Sequence, residues 1–135
     1  MELSFVLIKP DLVSANRVEE IMSYLRKYGF EVLERKRQVL TRDDVLFLYP
    51  MHIGKDFFDG LVNFMTSGPA ELCIVRRDDA TEILDRLVGN QYSSEGEPTL
   101  RNLFGINPQR NAIHSPDNRA KAFREISHFF PGLQM

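Results

Sequence analysis

The segment LSFVLIKPDLVSANRVEEIMSYLRKYGFEVLERKRQVL, residues 3–40, separates into three elements by hydrophobic period alone. Leu3 to Lys9 is a short apolar run of branched and aromatic residues stopped by Pro10, the pattern of a buried strand. Asn16 stands where it would cap a helix whose Val18, Ile21, Met22 and Leu25 recur at i, i+3, i+4 and i+7, with Gly29 at its exit. Phe30 to Leu40 then returns as a strand. Its charged middle and imperfect alternation suit an edge, or a strand with one wet face.

The rest of the chain repeats the pattern. Thr41 and Asp44 resemble a capping box opening a helix that runs through Tyr49. KDFFDGLVNFMTSGP, from Lys55, is another short helix ended by Gly68-Pro69. AELCIVR is a third strand, and Asp78-Asp79 begin a helix carrying Ile83, Leu84, Leu87 and Val88, closed by Gly89. Asn90 to Gln109 is long, polar and punctuated by glycine and proline, and loops of that length in compact domains carry function or disorder. NAIH is a brief fourth strand. Asp117 leads into a last helix with Ala120, Phe123, Ile126 and Phe130 on one face. Two βαβ halves in this order predict an α+β fold: a ferredoxin-like βαββαβ, four-stranded antiparallel sheet with helices packed around it, on one face. Residues 1–135 are expected to form one domain, with no linker and no internal repeat.

Bulk composition narrows the functions available. Seventeen Lys and Arg against nineteen Asp and Glu give a net charge of −2, which is no footprint for a protein that coats nucleic acid or a membrane surface. No apolar run approaches the roughly 20 residues that span a bilayer, and the N-terminus lacks the basic lead and apolar core of a signal peptide. Cys73, the lone cysteine, sits in the apolar ELCIV and reads as a small buried hydrophobe. A cytoplasmic, reducing location is the expectation, and a small soluble partner is favoured over a polyanion.

Taken singly, the polar residues near strand ends have ordinary explanations: a solvated Lys9, surface Arg101 and Arg110, a core Phe57 and Phe58, a half-buried Tyr49. Taken together they are what a nucleotide phosphate site recruits. Arginine forks grip phosphate oxygens and lysine supplies a point charge. An aromatic face stacks a base without reading its identity, and a neutral imidazole such as His114 can attack phosphorus. No GxxxxGK[ST] loop and no kinase GxGxxG is present, so those two phosphate-binding solutions are absent.

Four stretches, FVLIKPD, FFDGLVNFMTSGP, PTLRNLFG and RNAIHSPD, stand in the order and at the spacing of the nucleoside diphosphate kinase family, which the chain resembles from first strand to last helix. The family's IKPD, F…L…SGP, TIRG and NIIHGSD hold its site. The resemblance implies a kinase that moves the terminal phosphoryl from a nucleoside triphosphate to a diphosphate, with phosphorylated His114 as the intermediate, ping-pong turnover and low base specificity. It implies that Lys9 lies near the phosphates and sugar hydroxyl, that Asn111 bonds the ribose 3′-OH, and that Arg101 clamps phosphate. Phe57 matches the ring beneath the base and Leu61 the apolar residue beside it. Tyr49 and Glu125 match groups within reach of the imidazole; Glu125, eleven residues after His114, falls on the following helix. Mg2+ would ride on the nucleotide phosphates, with no protein cage. A homo-oligomer is implied, a hexamer first, with no membrane partner and nucleic acid ranked last.

The departures are local. Ser115-Pro116 replace the family's Gly-Ser after the histidine, and Asn102 and Leu103 replace a glycine and an aspartate. Between Gly89 and Thr99 the family's threonine and arginine for the β-phosphate have no clean counterparts: Asp85 falls at the arginine's place, with Arg86 next to it and able to serve after a one-residue shift. These changes are similar to those of the divergent branch found in ciliary and flagellar proteins, where LFG and RDDA also occur. An alternative follows: a catalytically weak or inactive module that binds nucleotide or protein partners in a cytoskeletal or axonemal assembly. His52 and His128 are assigned to structure or solvent.

Overall fold

The computed structural model describes residues 1–89, 99–104 and 113–133. Four strands, β1 (Glu2–Ile8), β2 (Glu31–Gln38), β3 (Ala70–Arg77) and β4 (Ile113–His114), form an antiparallel sheet in the order β2-β3-β1-β4. β1 is central and pairs along its whole length with β3, from Glu2 opposite Arg77 to Ile8 opposite Glu71. On its other side Leu7 stands opposite His114 and Ile8 opposite Ile113. The helices are α1 (Pro10–Ser14), α2 (Val18–Lys27), α3 (Arg42–Leu48), α4 (Phe58–Met65), α5 (Ala80–Val88), α6 (Leu100–Phe104) and α7 (Arg119–Phe129), with one 3-10 turn at Pro50–His52.

Every residue of β1 from Ser4 to Ile8 is buried, so the strand shows no polar alternation. The reason is that both faces of the sheet are covered, not one as the pattern of elements had suggested. Val6 and Ile8, with Cys73 and Val75 of β3, pack under α1, α2, α5 and α6. Phe5 and Leu7, with Leu72 and Ile74, pack under α3, α4 and α7. Pairing register and side-chain alternation agree, since Val6 faces Cys73 across the ladder and Phe5 faces Ile74. β2 is the edge strand its charges announced. A bulge between Val32 and Glu34 breaks its alternation, and Glu71 of β3, 3% exposed, accepts from Arg35 Nε and Arg37 Nε at 2.8 Å each.

Four local expectations are corrected. Asn16 does not cap α2; it takes a left-handed backbone (φ 63°) between α1 and α2, and Arg17 stands at the cap with no side-chain bond. α1 itself was missed, being five residues that begin at Pro10, whose fixed φ suits a first helical position. α7 starts later than Asp117: Asn118 accepts from the Lys121 amide at 2.8 Å. Its inner face is Ala122, Glu125, Ile126 and Phe129, leaving Phe123 60% exposed. A search for apolar residues at helical spacing passes over a buried carboxylate, and the face it chose was therefore rotated. Finally, part of the stretch read as loop is α6, fixed by fully buried Leu100. The Thr41–Asp44 capping box forms as expected.

α5 and α6 meet at a close approach. Gly89 ends α5 in a left-handed conformation (φ +93°), and a Cβ there would lie 2.6 Å from Thr99 Oγ1 and 2.8 Å from Thr99 Cβ. Gly89→Ala is expected to destabilise the chain by about 2 kcal/mol, combining left-handed strain with displacement of Thr99. Urea unfolding at neutral pH measures this. Among the described residues no helix is long and apolar enough to cross a membrane.

Candidate active site

The end of β4 projects His114 into a cleft of about 330 Å³ lined by residues that include Tyr49, Pro50, Met51, His52, Arg101, Ser115, Lys121, Arg124 and Glu125. The imidazole side chain is 11% exposed and its Nε2 donates to Glu125 Oε1 at 2.5 Å. Glu125 reaches it because α7 turns its inner face toward β1, where Phe5 stacks on Phe129 with ring centroids 5.3 Å apart. A carboxylate accepting from Nε2 holds the proton on that nitrogen and leaves the Nδ1 lone pair for chemistry. Glu125→Gln is expected to lower turnover by about tenfold to a hundredfold, as loss of an orienting carboxylate behind an imidazole commonly does; steady-state kinetics at saturating substrate read it.

Cations approach from the opposite layer. Arg101 of α6 donates Nε and Nη2 to the Ile113 carbonyl at 3.3 and 3.1 Å, which ties its guanidinium to the strand bearing His114. Burial holds Arg101 below the ordinary arginine range, opposed by Tyr49 and Asp85. Lys9, just past β1 and 2% exposed, lies with Nζ 5.9 Å from the Tyr49 ring centroid. Burial, then the neighbouring Arg101 charge, lower its pKa to about 7, with Asp11 pulling the other way. Tyr49 follows α3. Its ring stands edge-on to His114 at 5.4 Å, and its buried Oη has no hydrogen-bond partner among the described residues. Burial raises the phenol above its usual value, so it keeps its proton.

The structure thus brings His114, Glu125, Tyr49 and Arg101 onto one cleft, with Lys9 alongside through Tyr49 and Arg101. Phe57, half exposed immediately before α4, joins the mouth through an edge contact with His52 at 4.9 Å. Leu61 lies one turn along α4, buried in the layer beneath. Arg86 is not brought in: it is exposed on α5 and donates to Glu82 at 2.7 Å. Its neighbour Asp85 is buried and contributes charge beside Arg101. Asn111 lies outside the described residues.

His52, expected to serve structure or solvent, stands closer to the cleft than its place in the sequence suggests. It lines the cleft and stacks on Tyr49 at 5.8 Å. Burial, followed by the Lys55 charge, lowers its pKa, keeping the imidazole neutral. The signal available was its position three residues after Tyr49 around Pro50, where a 3-10 turn eclipses i and i+3. His128 is structural, bonded to Asp44 at 2.8 Å and stacked on Phe47. Among the described residues no group of three or more His, Cys, Asp or Glu could hold a metal ion.

Known proteins resemble this chain along nearly its whole length. A family model described as nucleoside diphosphate kinase matches residues 2–135. A nucleoside diphosphate kinase of Saccharolobus islandicus is 38% identical over 131 residues, covering 96% of this chain and 95% of that protein. The structure of a halophilic nucleoside diphosphate kinase from Halobacterium salinarum in complex with CDP superposes with a TM-score of 0.86 at 32% identity, covering 96% of this chain and 88% of that one. The Aquifex aeolicus nucleoside diphosphate kinase gives 0.85 at 26% identity, covering 97% and 96%. These relatives do not favour the alternative of an inactive module.

Proposed function

The chain belongs to the nucleoside diphosphate kinase family, and from that membership we propose that His114 carries the phosphoryl group between nucleotides. The activity is transfer of the terminal phosphoryl of a nucleoside triphosphate to a nucleoside diphosphate. In the first half-reaction the His114 Nδ1 lone pair attacks the γ-phosphorus; the N–P bond forms as the bond to the bridging oxygen breaks, and the diphosphate leaves. The second half reverses these steps on a new diphosphate, which makes turnover ping-pong. The Nε2 proton stays with the ring throughout, held by Glu125. The observation that carries this reading is the His114–Glu125 bond at the wall of a cleft that also holds Arg101.

Phosphoryl transfer passes through a loose transition state, so charge neutralisation and alignment supply most of the catalysis. Arg101 and Lys9 are the cations for the phosphate oxygens, and the Tyr49 ring packs between Lys9 and His114. Arg101 needs little reorganisation because the Ile113 carbonyl already orients it. Asn111 is assigned to the ribose and Phe57 to the base, and stacking without edge readout gives low base discrimination. Arg86 belongs to the phosphate grip only after a change of pairing on α5. Magnesium arrives on the nucleotide phosphates as part of the substrate. The nucleoside diphosphate named for the halophilic relative supports the same ligand class here. A cytoplasmic homo-oligomer, a hexamer first, completes the proposal, and light scattering on the purified protein reads the stoichiometry. The decisive test is incubation with labelled ATP and magnesium. An acid-labile, alkali-stable phosphoprotein is expected, and an unlabelled wild-type chain would end the phosphohistidine reading.

A further inference from the structure

A buried lysine and a partly buried arginine lie side by side where the cleft meets the sheet, Arg101 on the cleft wall and Lys9 behind the Tyr49 ring. Lys9 follows β1 with only 2% of its surface exposed, and Arg101 approaches it from α6. The other groups around Lys9 come from three directions. Asp11 on α1 has both carboxylate oxygens buried and without a hydrogen-bond partner among the described residues. Tyr49, after α3, presents its ring 5.9 Å from Nζ. Beyond that ring stands the His114–Glu125 pair of β4 and α7. Among the described residues Asp11 favours the ammonium, while burial and the Arg101 guanidinium oppose it.

We propose that binding of a nucleoside polyphosphate in this cleft is coupled to uptake of one proton from solvent, and that Lys9 takes it. The inference rests on the phosphate-binding role assigned to Lys9 above. Arg101 cannot give up its charge, so Lys9 is the member of the pair that yields in the empty site. With its pKa lowered to about 7, Lys9 is largely neutral in mildly alkaline solution. A polyphosphate brings several negative charges to the same place and restores the ammonium. The sign follows. Uptake is small below pH 7, where Lys9 is already charged, and approaches one proton above it. Affinity weakens by about tenfold per pH unit on the alkaline side, until the pKa of the bound state is reached.

The test is calorimetric titration of the whole protein with ADP and magnesium in buffers of different ionisation enthalpy. At pH 8 the phosphates of ADP are already ionised, and about 0.9 proton should be taken up; at pH 6 the protein's share should fall to about 0.1. Lys9→Arg, whose side chain stays charged, should bind with no uptake at pH 8. In wild-type protein carrying [13C]lysine, ADP added at pH 8 should move the Lys9 Cε resonance from its neutral to its charged position, which keeps the test independent of whether the variant folds. Saturable ADP binding with no proton uptake at pH 8 overturns the proposal while leaving the nucleotide site intact. Uptake that persists in Lys9→Arg assigns the proton to a group other than Lys9 and also overturns it. Absence of ADP binding removes the nucleotide reading, and the proposal with it.

Discussion

His114→Ala abolishes turnover, by at least about 10⁴-fold, and abolishes the acid-labile phosphoprotein while leaving the thermal unfolding profile close to wild type. The size follows from what the residue supplies. Its imidazole is the nucleophile, and when one member of a unit that acts together is removed the loss approaches that of removing all of it. Stability is spared because the ring is held at the rim of the cleft. Its neighbours Phe5, Leu7 and Phe129 remain packed on one another when it is truncated. The carboxylate of Glu125 is left behind with a water-filled neighbour in place of the ring, a modest cost at a cleft wall. Labelling and turnover should fall together. A variant that keeps its label would place the phosphate on another residue; His52, on the same cleft, is the first to examine.

Lys9→Met is expected to stabilise the fold while nearly silencing the enzyme. In the folded chain the ammonium is buried beside Arg101, which lowers its pKa from the usual lysine value of 10.5 to about 7. Because the folded pKa lies below the unfolded one, the unfolded chain binds the extra proton. Stability therefore rises with pH from about 7 to 10.5 in the wild type. Methionine removes that liability and fills a similar volume. The gain should be a few kcal/mol at pH 6 and should shrink toward pH 10. Turnover should drop by about a hundredfold to a thousandfold, the usual cost of deleting one electrostatic donor at a site of developing charge. Urea unfolding at pH 6 and pH 9, with turnover at pH 7, separates the two effects. A variant that is less stable at pH 6 than wild type would contradict the account of Lys9 as a strained charge.

The opposing effects at Lys9 explain why so much of this protein was legible before its structure. β1 is an apolar run followed at once by a buried lysine, and no packing argument favours a lysine there. The order of elements, the edge character of β2 and the Thr41–Asp44 cap follow from period and capping chemistry. Glu125 is legible only through the family resemblance, its spacing from His114 merely placing it on the following helix; the amphipathic face expected for α7 puts Phe123 inside and passes over the carboxylate. Arg86 was a counting argument made without geometry, and the structure turns it outward and brings Asp85 inward. His52 went unrecognised because its relation to Tyr49 exists only in the tight turn at Pro50. Composition is blind to such a turn. Short segments such as α1 and α6 escape for a related reason, since five residues cannot display a helical period.

The two-sided packing of the sheet reaches beyond architecture. Glu125 and Tyr49 come from the layer over Phe5 and Leu7, whereas Lys9 and Arg101 come from the layer over Val6 and Ile8, and they meet at the short edge strand β4. Neither half of the molecule owns a working centre. A chain with one layer loosened is catalytically silent even while the other remains intact, so enzymatic output reports the integrity of the entire tertiary structure.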